Sequence, residues 1–367
     1  MGIYDIAVIG GGVMGCSTAL HISRKKLKTV IIDSGALCRE ASGTNAGTLT
    51  LNMTRAALIP YAIKGWELWN STEQWLYGDV GTISVNGLSL AFTEREEELL
   101  IKRAEARKAM GAPIEIVSSK KAQQLEPGLR QSVRSAAWCP KDGFTSAYLT
   151  GHAFRKVLNN EGVQIQEYFK VNKIDNENKY FLICNENGEF IKSKRIVLAG
   201  GVWLEYMLSL LNIFIPIKCL INQLIITERV EPVMKTVLSI ANGLLSLKQF
   251  ANGTVLIGGG WQGIGDTERG GVEAIPKNLV GNIRLACHTI PKLRFGRMAR
   301  VWLGLEAETS DALPIIGNVP GFDDAYVIGS VHSGYTSGPY MGWLLSQFIT
   351  GKEPDMPLFD PSRLLTQ

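Results

Sequence analysis

The chain contains no Cys-x-x-Cys pair and only four histidines in 367 residues, none at ligand spacing. That excludes the usual zinc and iron–sulfur frameworks, and no metal site is predicted. The six cysteines, at 16, 38, 139, 184, 219 and 287, are scattered. A disulfide framework is not expected at this chain length, so they read as small buried hydrophobes. Charge of one sign is also scarce. The net charge is +4, and the longest basic cluster, Arg24-Lys25-Lys26 with Lys28, reads as a solvated turn. Nucleic-acid binding therefore has no support. No apolar run reaches the about 20 residues that a membrane-spanning helix needs. The nearest, Tyr206 to Ile215, is closed by Pro216 and Lys218. It reads either as a buried helix or as a face for a partner subunit or a membrane surface. The first structured segment begins almost at Met1, leaving no room for a signal peptide, and a cytoplasmic location is expected.

Glycine is plentiful, and its placement is informative. Gly10-Gly11-Gly12-Val13-Met14-Gly15 lies between the apolar run Ile6-Ala7-Val8-Ile9 and a helical pattern. A second apolar run, Thr29-Val30-Ile31-Ile32, ends at the acid Asp33. Strand, glycine turn, helix, strand and acid make a complete dinucleotide-binding unit. One glycine forms the turn, one lets the backbone approach a pyrophosphate, and one lets the helix pack close to the strand. The helix N-terminus then faces the phosphates and the acid faces a ribose.

Beyond Asp33 a small polar loop, Glu40 to Thr48, offers backbone N–H groups to a ligand. The pattern predicts a helix from about Arg55 to Trp75 and a hairpin through Asn86-Gly87. A charged helix with i,i+4 pairs is predicted over Glu94 to Met110, ended by Gly111. Strands are predicted at Val163–Ile174, Tyr180–Cys184 and Arg195–Trp203, the last a further parallel strand of the nucleotide sheet. Leu224–Thr227, Gly243–Gln249 and Thr254–Gly259 read as a second sheet, with a turn at Asn252-Gly253. The end returns to α/β character: a strand at Tyr326–Ser330, the loop His332–Gly338, and a helix from Pro339 to Ile349 capped by Ser337. The nucleotide domain is thus discontinuous, drawn from residues 1–80, 145–215 and 312–367. The substrate domain takes 81–144 and 216–311. A plain NAD dehydrogenase, whose nucleotide fold is one contiguous block, fits this poorly.

Taken together, these segments resemble the FAD-dependent D-amino-acid oxidase superfamily, which includes glycine and sarcosine oxidases and the β subunits of dye-linked proline, hydroxyproline and opine dehydrogenases. The resemblance spans essentially the whole chain. It is carried by Ile6–Gly15 with Asp33, Ala41–Gly47, Val197–Trp203, Trp302-Leu303-Gly304-Leu305 with Thr309–Gly317, and His332–Pro339. It implies an α/β fold: a glutathione-reductase-type, Rossmann-like FAD domain, and an α+β substrate domain on a mixed or antiparallel sheet. It also implies non-covalent FAD, with Gly10, Gly12, Val13, Met14 and Gly15 at the pyrophosphate and Asp33 and Ser34 at the adenosine ribose. Ser42, Thr44, Asn45, Ala46 and Gly47 then lie against the ribityl chain and ring edge. The backbone of Val171 meets adenine, Gly200, Gly201 and Trp203 approach the nucleotide, and Gly304, Gly334, Tyr335 and Thr336 border the flavin.

The implied reaction is oxidation of the C–N bond of a small amino acid or secondary amine by hydride transfer to the flavin. The resemblance has one conspicuous departure. Members of the glycine oxidase type carry an arginine two residues after the glycine of the W-x-G-L block, where it clamps the substrate carboxylate. Here that position is Glu306, which would repel a carboxylate unless turned away. Substitute anchors are Arg55, Tyr148, His332 and Tyr335; the candidate catalytic groups are His332, Tyr335 and Tyr148. His332 reads either as a scaffold histidine of its loop or as an acid/base facing substrate. Three functions stay open. They are the β subunit of a heteromeric dehydrogenase, a self-sufficient oxidase making hydrogen peroxide, and a flavin-binding relay subunit without turnover.

Overall fold

The structure is a computed structural model describing residues 2–177, 179–266, 271–332 and 334–365. Ser333, inside the predicted His332–Gly338 loop, lies outside the described residues. Two eight-stranded sheets organise the chain. In the first, the strand Tyr4–Ile9 pairs in parallel with Thr29–Ile32 on one side and with Phe190–Leu198 on the other. Ala325–Gly329 extends it, parallel to Phe190–Leu198. The sequence pattern anticipates this return of the chain. The four residues Ile6 to Ile9 are all apolar because both faces of the sheet are covered. Ile6 and Val8 join a core with the helices Val13–Ser23 and Gly334–Ile349, while Ala7 and Ile9 join a second core on the opposite face.

The second sheet runs in the order Met298–Glu308, Lys218–Thr227, Val255–Gly258, Ser246–Gln249, Val237–Ile240, Gly87–Ala91, Ser135–Cys139 and Glu115–Ser118. It is antiparallel except where Gly87–Ala91 lies parallel to Val237–Ile240. The turn at Asn252-Gly253 does join two antiparallel strands, with Gly253 at φ +89°. The hairpin expected at Asn86-Gly87 does not form. Asn86 turns the chain at φ +67°, but Ile83–Ser84 pairs with Gly143–Phe144 in a small separate sheet. Gly87–Ala91 is buried along its whole length and belongs in the large sheet, so tertiary burial overrides the local turn signal.

Two helices also differ from expectation. Within Tyr206 to Ile215 the helix is short, Leu204–Ser209, and Asn212 turns the chain at φ +60°. Leu208, Leu211 and Ile215 are buried, while Phe214 is 65% exposed. The last helix begins at Gly334, so Pro339 lies inside it. Proline has no N–H to offer the carbonyl four residues earlier, that of Tyr335. The indole N–H of Trp69, in the helix Ile59–Trp69, donates to that carbonyl at 2.8 Å, and the hydroxyl of Ser17 donates to the Pro339 carbonyl at 2.6 Å. The Trp69 bond satisfies from outside the one carbonyl that the proline leaves free, and the Ser17 bond ties the helix to Val13–Ser23. Among the described residues, no helix is long and apolar enough to cross a membrane.

Candidate functional site

A cavity of about 1000 Å³ runs from the glycine turn to the second sheet. At the turn, Gly10 has φ +114°, and a Cβ there would strike the Ala199 carbonyl. A Cβ on Gly15 would strike the Gly10 carbonyl, so helix and strand approach as closely as two backbones can. The N–H of Val13, one of the orphan donors of its helix, finds the Ser42 hydroxyl at 3.0 Å. Asp33 accepts from the N–H groups of Gly11 at 2.6 Å and Gly35 at 2.8 Å. Burial nevertheless raises its carboxyl above the usual range, against the lowering by those two bonds. The loop above is fastened to the second sheet by the Trp302 indole, which donates to the Thr44 carbonyl at 2.8 Å.

Where that sheet closes the cavity, the strand Met298–Glu308 presents Glu306 and Glu308, two residues apart and so on one face. Glu306 is not a free carboxylate. It holds Nδ1 of His332 and accepts from the Asn222 side-chain amide at 2.6 Å. Asn222 in turn accepts from Gln262 at 2.7 Å. With Glu306 ionised, Nδ1 of His332 carries the donated proton, and Nε2 remains as an acceptor. The bond to Glu306 raises the imidazole pKa, outweighing burial and the nearby Arg55 charge. Glu308 pairs with Arg55 at 2.7 Å. Next along, the Thr54 carbonyl accepts from Arg107 at 2.7 Å, and the Ala241 carbonyl accepts from Arg103 at 2.6 Å. Behind Thr48, in the cavity wall, the wholly buried ammonium of Lys248 donates to the Thr48 hydroxyl at 2.6 Å, between the rings of Phe144 and Phe250. Burial pulls its pKa down to about 7.

Most residues singled out in the sequence line this one cavity: Gly10, Gly12, Val13, Met14, Gly15, Asp33, Ser34, Ser42, Thr44, Asn45, Ala46, Val171, Gly200, Gly201, Trp203, Gly304, Gly334, Tyr335 and His332. Gly47 and Thr336 stand just behind the wall. Gly47, at φ +67°, backs against the Thr145 carbonyl, and the Thr336 hydroxyl accepts from the Thr50 N–H at 3.2 Å. Tyr148 has to be withdrawn as a catalytic or anchoring group. It is 73% exposed, packs edge-on against His152 one turn along its own helix, and is not part of the wall. Tyr335 reaches the cavity, but its hydroxyl donates to Thr150 at 2.9 Å and its ring stacks on Trp69. Burial pushes that phenol far above its usual pKa, leaving it unsuited to proton transfer. Arg103, Arg107, Glu308 and Lys248 escaped sequence reasoning. The two arginines lie in the helix Glu94–Ala109, whose dense charge reads as a solvated face.

Residues 5–348 match the family described as DAO, FAD dependent oxidoreductase. Glycine oxidase of Geobacillus kaustophilus is 23% identical, the alignment covering 95% of this chain and 94% of that protein. One of the subunits of the opine oxidase of Rhizobium meliloti is 24% identical over 99% of this chain and 98% of its own length. Among solved structures, L-proline dehydrogenase from P. horikoshii superposes with a TM-score of 0.89 at 23% identity, covering 98% of this chain and 97% of that one.

Proposed function

The chain belongs to the DAO family of FAD-dependent oxidoreductases, and from that premise we propose that it oxidises the C–N bond of a small amino acid or secondary amine of the proline, hydroxyproline, sarcosine or opine class. The site fits FAD. The bare glycine turn leaves backbone where a pyrophosphate approaches, and a Cβ at Gly10 would abolish that cradle. Ser330, in the same wall, has a buried hydroxyl without a partner, as a group awaiting a ligand would. Gly10, Gly12, Val13, Met14, Gly15 and Ser42 would hold the pyrophosphate, and Asp33 with Ser34 the ribose. Val171, Gly200, Gly201 and Trp203 would border the adenine half. Thr44, Asn45, Ala46, Gly47, Gly304, Gly334, Tyr335 and Thr336 would border the ring half. When bound, FAD supplies the two-electron acceptor for the amine's hydride.

The protein's own part starts from His332. An amino acid arrives as an ammonium ion, which cannot give up a hydride until it loses a proton. His332 Nε2, left as an acceptor because Glu306 holds Nδ1, takes that proton. Glu306 and Asn222 keep the ring in this tautomer and orientation, so Glu306 is a positioning residue rather than a carboxylate anchor. The Glu306–His332 pair, in the wall of the cavity that begins at the glycine turn, is the observation that carries the reading. Residues 81–144 and 216–311 form the substrate-binding part in this account, the remainder the nucleotide-binding part.

The similarity to one component of a multi-subunit opine oxidase supports a second element of the proposal, that the chain works as the β subunit of a heteromeric dehydrogenase. The 65% exposed Phe214 supplies apolar surface for such a contact. Six free cysteines fit a reducing, cytoplasmic setting. The test is an anaerobic screen of the FAD-loaded protein against D- and L-proline, hydroxyprolines, glycine, sarcosine and opines. Loss of the flavin's visible band with one of these is expected. A flavin that stays oxidised throughout would favour a relay subunit. Stoichiometric hydrogen peroxide from the lone chain in air would overturn the subunit proposal.

A further inference from the structure

We infer that Arg103 and Arg107 form a carboxylate-binding subsite in the wall of this cavity, and that the amine oxidised is a dicarboxylic secondary amine, an N-carboxyalkyl amino acid whose second carboxylate docks there. The inference rests on the C–N oxidation proposed above. The two arginines stand four residues apart on the helix Glu94–Ala109, hence on one face, and both line the cavity. Each spends one N–H on a backbone carbonyl, Arg103 on Ala241 and Arg107 on Thr54, which fixes the guanidinium and leaves its other donors unspoken for. Among the described residues neither has a carboxylate within ion-pair distance. The acid whose charge reaches Arg107, Asp142, is buried, with its oxygens taken by the Leu51 N–H and the Thr50 hydroxyl.

Two like charges held side by side without a counter-ion call for an anion. The subsite also adjoins the reacting end. Thr54, which holds Arg107, precedes Arg55; Arg55 pairs with Glu308, on the same strand face as the Glu306 that holds His332. A substrate with its nitrogen at His332 can thus extend its far carboxylate along this row.

The test uses the full-length FAD-loaded protein and two non-oxidisable probes, glutarate and valerate, each titrated by the perturbation of the flavin absorbance. Glutarate should bind at least about tenfold more tightly than valerate. Arg103→Gln and Arg107→Gln should each weaken glutarate about 10- to 100-fold, the range for a charge-assisted hydrogen bond, and leave valerate unchanged. Arg107→Lys, which keeps the charge but loses the fork, should recover part of the loss and guards against misfolding of the glutamine variants. Equal binding of the two probes, or glutarate binding indifferent to both arginines, would overturn the inference. In a parallel anaerobic experiment, iminodiacetate should reduce the flavin with a KM that rises in the same variants. A flavin inert to every amine, with arginine-dependent glutarate binding intact, would sink the oxidation reading and leave the subsite standing.

Discussion

Replacing Glu306 by glutamine probes the proposed proton transfer most sharply. Glutamine keeps the size of the side chain and a polar contact to His332 and Asn222 but removes the charge that raises the imidazole pKa. At an effective dielectric of about 20 and a separation of about 4 Å, a full ion pair is worth about 4 kcal/mol. The His332 side chain is 40% exposed and that of Glu306 21% exposed, so solvent screening cuts this to about 1 kcal/mol or a little more. Losing that partner lowers the imidazole pKa in E306Q. The neutral imidazole is the active form, so kcat/KM rises with pH through the His332 pKa. The assay is the pH profile of anaerobic flavin reduction at low substrate. The acid limb of E306Q should lie at lower pH than that of the parent protein, with a modest loss at the plateau. An unmoved acid limb would refute the assignment of that limb to His332. The sign for stability runs oppositely. A raised folded-state pKa adds stability that is full below about pH 6.5 and fades as pH climbs through the folded value, so E306Q should be the less stable protein only in acid.

Other outcomes follow from single contacts. Gly10→Ala sets a methyl group against the Ala199 carbonyl at a φ that L-residues avoid; the purified variant should carry little FAD, read from its absorbance ratio. Trp69→Phe leaves the Tyr335 carbonyl, freed by Pro339, without its donor; a loss of about 1–3 kcal/mol is expected in urea unfolding. Lys248, held down at about 7 against an ordinary 10.5, binds fewer protons folded than unfolded. Stability should therefore rise with pH between about 7 and 10.5, by up to about 5 kcal/mol, and Lys248→Met should flatten that slope and stabilise the protein at neutral pH.

What could be read in the sequence was what local pattern dictates. The glycine turn, the two apolar strands and Asp33 are contiguous or nearly so, and each residue there has one physical job. The return of the chain through Phe190–Leu198 was legible from its end, where Ile196, Val197 and Leu198 form an apolar, buried run beside Tyr4–Ile9. The Asn86-Gly87 hairpin failed because burial in a distant sheet outweighs a two-residue turn signal. Pro339 misled because the bond that lets a helix pass through it comes from Trp69, hundreds of positions away. Glu306 looked like a defect in a carboxylate clamp until its partner, His332, could be seen beside it. Arg103 and Arg107 share a helix with many exposed charges, and only the fold shows that these two, Arg103 exposed and Arg107 half-buried, border the cavity. Tyr148 shows the converse, a suitable side chain on the wrong side of its helix.

The central claim is that this cavity removes a hydride from the carbon next to an amine nitrogen. Anaerobic stopped-flow reduction of the bound flavin by protiated amine, compared with the same amine deuterated at that carbon, tests it most directly. Full reduction that is markedly slower with the deuterated amine, in parent protein and E306Q alike, is the predicted result. Identical rates for the two isotopologues, or no reduction by any amine, would contradict the account.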